Sequence, residues 1–183
     1  MLESERVPWE RNIRHGEDVN PENAESLLFL LIGLLEEYEI KYWFNWGLLL
    51  GAIREKDFIV YDTDMDITVH WEDRDKVLNL IEPFMLDANC YVPTVEECHP
   101  EDRWYIRDKE KIELNFVVRV GNKYIYSPNR CKLACPLDYI DTLETIEFRG
   151  RRVKVPSNPE KYLELSYGKD WRTPIRDKKP KSL

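Results

Sequence analysis

Residues 46–69, WGLLLGAIREKDFIVYDTDMDITV, constrain this chain more than any other segment. Gly47 and Gly51 bound a short helical run that ends at Arg54. Further on come Asp64, Met65 and Asp66, followed by the strand-forming Ile67, Thr68 and Val69. Residues i and i+2 of a strand point the same way, so Asp64 and Asp66 share a face with Cα atoms roughly 6–7 Å apart. Two carboxylates that close repel, and without a cation one must neutralise or move away. A hard divalent ion such as Mg²⁺ resolves the conflict, because it takes oxygen ligands and combines a few carboxylates with substrate phosphate. A helix start at Gly47 offers N–H groups to that phosphate. A phosphate cradle beside a carboxylate pair is the core of a metal-dependent phosphoryl-transfer site.

The flanking sequence supplies the frame. Asn20, Pro21 and Glu22 form a helix start, with Asn as the cap and Pro in the first turn. The spacing of Leu27, Leu28, Leu31, Leu34, Leu35 and Tyr38 predicts a helix over 21–38 with these residues facing the core. A buried strand is expected over 41–45, a helix over 47–55, a strand over 64–70 and one continuous helix over 73–86. The second half turns β-rich, with strands expected over 104–107, 112–120 and 123–126 and a hairpin turn at Gly121-Asn122. A further turn at Arg149-Gly150 joins strands over 145–148 and 152–155. A short helix over 159–166 takes Ser157 or Asn158 as its cap. The order of elements predicts an α+β domain built on a mixed sheet with flanking helices. Residues 1–20 read as an irregular arm, 21–175 as a single small domain, and 176–183 as a basic, flexible tail.

Composition excludes some functions. With 43% hydrophobic and 34% charged residues in 183, the chain has the make-up of a soluble globular domain. A formal net charge of −8 argues against nucleic acid as a partner, which needs a basic surface. The longest apolar run, 27–35, is too short for a transmembrane segment, and no signal peptide precedes it, so a cytoplasmic, reducing compartment is expected. Cys90, Cys98, Cys131 and Cys135 form no CxxC pair and read as free thiols. The alternative is a zinc site built from Cys98, His99, Cys131 and Cys135. The dense aromatics Tyr42, Trp43, Trp46, Trp71, Trp104 and Tyr105 read mainly as core, with a quaternary-ammonium cage as the alternative. His15, His70 and His99 fall in no triad pattern.

These residues carry a family resemblance. Trp46-Gly47-Leu48-Leu49-Leu50-Gly51-Ala52-Ile53-Arg54 and Phe58-Ile59-Val60-Tyr61-Asp62-Thr63-Asp64-Met65-Asp66 resemble the signature of the LicD/fukutin-related family, a branch of the nucleotidyltransferase superfamily. Tyr167-Gly168-Lys169-Asp170-Trp171-Arg172-Thr173-Pro174 is similar to that family's C-terminal motif, so the resemblance spans roughly residues 25–175. Leu48 stands where a small hydroxyl residue is usual, Val60-Tyr61 replaces Pro-Trp, and Thr63 replaces one of three successive acids. The resemblance implies a nucleotidyltransferase-like fold and a third metal ligand from a later strand. Glu113, between Ile112 and Leu114, fits that setting.

It also implies a phosphotransferase that moves a phospho-alcohol, phosphocholine or a polyol phosphate, from a CDP-activated donor to a glycan or glycoconjugate hydroxyl. On this reading Asp64, Asp66 and Glu113 hold Mg²⁺ or Mn²⁺. Gly47, Leu48, Gly51 and Arg54 meet the donor, and Asp64, Asp66 and Asp62 carry the chemistry, with Asp62 the candidate base. Leu48 and Thr63 keep open a catalytically weakened relative that binds nucleotide or glycan without turnover. A nucleotidyltransferase acting on another substrate is the remaining alternative. Tyr167 and Trp171 are expected to pin the C-terminal segment, and Lys178, Lys179 and Lys181 to lie in a solvated tail.

Overall fold

Helix α1 (Pro21–Glu37) begins at the expected cap: the Asn20 side chain accepts from the Glu22 and Asn23 N–H groups. Its buried face, Ala24, Leu27, Leu28, Leu31, Ile32, Leu34 and Leu35, follows the predicted period and packs against one side of the central sheet. This computed structural model describes residues 12–94, 102–126 and 134–176. Strand β1 (Tyr42–Phe44) leads into α2 (Trp46–Arg54), and β2 (Met65–His70) returns beside β1.

The chain then crosses over through a helical segment before β3 (Asp102–Arg107), β4 (Glu110–Val120), β5 (Lys123–Tyr126) and β6 (Ala134–Pro136). β2 runs antiparallel to β1 and parallel to β4, while β3 and β5 both pair antiparallel with the long β4, and β6 adds to β5. The result is one six-stranded mixed sheet in an α/β domain. A short helix α5 (Leu137–Ile140) precedes a separate two-stranded sheet of β7 (Leu143–Phe148) and β8 (Arg151–Pro156), and α6 (Pro159–Tyr167) closes the fold.

The small sheet is fixed by aromatic packing. The Phe148 ring meets Phe44 edge-on at 5.6 Å and Phe58 edge-on at 5.2 Å between centroids. Arg149, in the hairpin turn, ion-pairs with Glu25 of α1 and with Asp57.

Three local expectations need correction. The helix expected over 73–86 is broken into a 3-10 turn (Trp71–Asp73), α3 (Arg74–Lys76), a π-helical turn (Val77–Ile81) and α4 (Glu82–Asp87). Pro83 has no N–H to donate and its ring crowds the preceding turn, so the ladder shifts register ahead of it. The Asn79 side chain also donates to the Asp75 carbonyl at 2.8 Å, competing with the backbone. Helix α2 starts one residue before Gly47, capped by Asn45, whose Oδ1 accepts from the Trp46 N–H at 2.9 Å. Neither candidate caps α6 through its side chain: Asn158 sits at the cap position in a left-handed conformation, and Ser157 Oγ donates to the Asp138 carbonyl.

Among the described residues no helix is long and apolar enough to cross a membrane. Cys98, His99, Cys131, the Cys135 side chain and the tail lysines lie outside what the structure describes; Cys90 is a buried free thiol.

Candidate active site

Parallel pairing of β2 with β4 sets Asp66 directly opposite Glu113, and Thr68 opposite Asn115. Register partners on neighbouring strands point to the same side of a sheet, so these four side chains share one face. Asp64 and Lys111, two residues ahead of Asp66 and Glu113, extend that face by the same alternation. The opposite face carries Met65, Ile67, Val69, Ile112, Leu114 and Phe116, all buried in the core. The sheet therefore has an apolar side under α1 and a polar, acid-rich side.

Lys111 stands between two of the acids. Its Nζ lies 2.9 Å from Asp64 Oδ2 and 3.3 Å from Glu113 Oε2, and 4.5 Å from the centre of the Trp104 ring. Burial alone would lower the pKa of this ammonium, but the charges of Asp64 and Glu113 outweigh it and leave it raised. Asp66 is buried deeper. Burial first, then the charges of Asp64, Glu113 and Asp62, hold its carboxyl well above the usual range, and Lys111 offsets only part of that. Asn115, fully buried, reaches Asp66 Oδ1 with Nδ2 at 3.5 Å and donates to the Glu113 carbonyl at 3.2 Å. The cluster holds more negative charge than its own cations balance.

Helix α2 meets this face with its N-terminus. Asn45 N–H donates to the Asp66 carbonyl at 3.0 Å, tying the helix start to the acid strand. The Asn45 side chain is buried in a network with Thr68 Oγ1, the Tyr126 hydroxyl and the Tyr162 hydroxyl. Trp46, next in the chain, has φ of 38°, a left-handed conformation that a bulky residue avoids unless its surroundings hold it. The Asn45 cap and a ring contact with Tyr126 at 4.8 Å do so.

Asp62 lies against Gly47. A Cβ placed on Gly47 would fall 2.0 Å from Asp62 Oδ2, so glycine is what lets this carboxylate reach the helix start. Asp62 Oδ1 accepts from the Thr63 N–H at 3.0 Å. Gly47→Ala is therefore expected to push Asp62 aside. The melting temperature should barely fall, because the obstructing atoms end a short side chain and Ala favours helix by roughly 1 kcal/mol over Gly. Turnover should drop as far as in Asp62→Ala. Wild-type turnover in Gly47→Ala would show that the position of Asp62 is unimportant.

Gly51 answers to packing. A Cβ there would stand 2.7 Å from the Asp57 carbonyl oxygen and 3.3 Å from the Ile59 backbone nitrogen, so it lets the following loop lie on α2. Leu48 is buried and lines a cleft with Arg14, Val19, Gly47, Phe58, Ile59, Asp62, Asp64 and Met65. Arg54 ends α2, with Nε on Glu55 at 2.6 Å and Nη1 donating to the Trp171 carbonyl at 3.3 Å. Trp171 and Tyr167 are buried as expected, and the Tyr167 hydroxyl, pushed up by burial and by Asp66 and Asp62, lies in the field of the cluster.

Residues 12–20, ahead of α1, are largely exposed but are tied to the fold at a few points. Arg14 is buried, ion-pairs with Glu110 at 3.0 Å and donates to the Asp62 carbonyl at 2.9 Å. Val19 N–H donates to the Val60 carbonyl, and Asn20 N–H to Glu110. Residues 12–20 thus brace the loop that carries Asp62. The aromatics do not converge: Tyr42, Trp43 and Tyr105 are core residues, Trp46 pairs with Tyr126, Trp71 with Phe116, and Trp104 with Lys111.

The donor set suits a hard divalent ion in kind, since it is all carboxylate oxygen and short of positive charge. Among the described residues, however, no three acidic, histidine or cysteine side chains are already gathered around one point. Lys111 separates Asp64 from Glu113.

The site is thus a mixed sheet with an acid pair at the start of one strand, faced by a helix N-terminus. The fold is similar to that of the lincomycin-bound lincosamide antibiotic adenylyltransferase LnuA, with a TM-score of 0.51 and 16% identity over 77% of this chain and 85% of that one. The nucleotidyltransferase domain of the LicD/FKTN/FKRP family matches residues 39–158, and the chain belongs to this family. It is 26% identical over 148 residues to ribitol 5-phosphate transferase FKRP of Mus musculus, covering 75% of this chain and 30% of FKRP. It is 24% identical over 158 residues to ribitol-5-phosphate transferase FKTN of Homo sapiens, covering 84% of this chain and 34% of FKTN. The chain spans about a third of the length of these relatives.

Proposed function

We propose that this chain transfers a phospho-alcohol from a CDP-activated donor to a glycan hydroxyl, breaking the donor's pyrophosphate bond and releasing CMP, with Asp64, Asp66 and Glu113 holding Mg²⁺ or Mn²⁺. The observation that carries this reading is the register of β2 and β4, which sets Asp66 opposite Glu113 on the face that Asp64 shares. Family membership and the ribitol-phosphate transferases among its relatives support the substrate class.

A bound divalent ion would supply neutralisation of the charge developing on the donor phosphate. The residues of the chain do the rest. The start of α2 presents backbone N–H groups toward the donor phosphates. Leu48, with Val19, Phe58, Ile59 and Met65, supplies the apolar part of a cleft that Arg14, Asp62 and Asp64 also line. Arg54, at the far end of α2 and engaged with Glu55 and the Trp171 carbonyl, would have to reach back along the helix to make a charge-assisted phosphate contact. Asp62, steadied through Oδ1 by the Thr63 N–H and against Gly47, takes the proton of the acceptor hydroxyl.

Thermal shift with CDP-ribitol, CDP-glycerol, CDP-choline and CTP, each with and without Mn²⁺, tests this. A ligand at about 100 times its Kd stabilises by about 2.7 kcal/mol, so one CDP-alcohol should raise the melting temperature only when metal is present. If no cytidine compound shifts it with metal present, the donor assignment fails.

A further inference from the structure

We propose that Lys111 is a resident counter-cation of the carboxylate cluster, held where a divalent ion would bind and displaced when the ion arrives. This rests on the metal-site reading above. Lys111 and Glu113 lie two residues apart on β4, so the lysine rises from the floor of the site itself. Its ammonium bridges Asp64 and Glu113 at 2.9 and 3.3 Å, with the side chain only 11% exposed. A metal taking the same oxygens would share its nearest neighbours with the ammonium, and two cations that close repel strongly away from water.

The displaced ammonium has somewhere to go. It already lies 4.5 Å from the Trp104 ring, and Trp104 stands opposite Glu113 on β3. A flexible four-carbon stem can swing its charge while keeping that ring as a partner. The bridge also explains why the acids are not already gathered around one point. In the metal-free protein the lysine keeps the cluster from flying apart, and in exchange it weakens metal binding.

The test is Mn²⁺ calorimetry on the full chain for wild type, Lys111→Met and Lys111→Arg. Lys111→Met should bind Mn²⁺ about tenfold or more tightly than wild type, because one repelling charge is gone. Its metal-free melting temperature should fall, and saturating Mn²⁺ should close the gap. Lys111→Arg keeps the charge and should bind no tighter than wild type. A lysine that merely supports the fold would give equal or weaker Mn²⁺ binding in Lys111→Met, and that result overturns the proposal. If wild type and Lys111→Met both fail to bind Mn²⁺, the metal-site reading falls and this inference with it. Should Lys111→Met not fold, ¹⁵N NMR of wild type decides: the Lys111 ammonium resonance should move on addition of Mg²⁺, and an unmoved resonance in a Mg²⁺-bound protein overturns the displacement.

Discussion

Asp66→Asn is expected to abolish metal-dependent turnover while leaving the fold intact. Asp66 is buried at the centre of the acid face, and its carboxyl is raised by burial and by the charges of Asp64, Glu113 and Asp62. Asparagine keeps its shape and keeps an oxygen to accept from Asn115 Nδ2. It loses the charge and exchanges one acceptor oxygen for an NH₂ donor. Without metal, relief of like-charge repulsion should hold or raise the melting temperature. With metal, activity should fall by at least about 10²-fold, beyond the 10–100-fold typical of outer-shell partners of a metal. Near-normal activity in Asp66→Asn would sink the mechanism, and a large loss of metal-free stability would mean that Asp66 serves the fold instead.

Phe148→Ala should cause the largest loss of stability. Phe148 is 1% exposed and makes edge-on contacts with Phe44 of β1 and with Phe58 in the loop leading to Asp62. Removing a buried Phe ring costs about 3–5 kcal/mol in transfer and cavity terms. That is a large share of the roughly 5–15 kcal/mol that holds a domain together. The cost should be at the upper end, because this ring joins the small sheet to the main one. The 58–62 loop should loosen as well, so activity should fall before the protein unfolds. Urea denaturation measures the change directly; a loss below about 1 kcal/mol would show that the two sheets are held together elsewhere.

What the sequence made legible was local. Asn20 and the leucine period defined α1, because a cap and a 3.6-residue repeat are properties of a few neighbouring residues. The Asp64-Met65-Asp66 alternation placed two carboxylates on one face for the same reason. Glu113 was reachable only through the family resemblance, since nothing local distinguishes it from any charge on an alternating strand.

What was hidden depends on pairing between distant segments. Lys111, one residue ahead of the strand expected over 112–120, carries no signal of its own until the β2–β4 register brings Asp64 beside it. Arg14 lies in a stretch with no period, and its burial follows from Glu110 and the Asp62 carbonyl, both far along the chain. Asn45 did carry a local signal, a cap residue type just before an apolar helical run, but expecting a strand through residue 45 and a helix from Gly47 obscured it. The break at Pro83 was also readable: a proline inside a helical pattern should have ended the continuous helix.

The central claim is that Asp64, Asp66 and Glu113 converge on one divalent ion. Anomalous diffraction from crystals grown with Mn²⁺ tests it most directly. One peak is expected on the polar face of the sheet, about 2.0–2.6 Å from carboxylate oxygens of all three residues, with the Lys111 ammonium moved away from Asp64. No peak there at saturating Mn²⁺, or a peak that leaves the Lys111 bridge to Asp64 and Glu113 in place, would contradict the account.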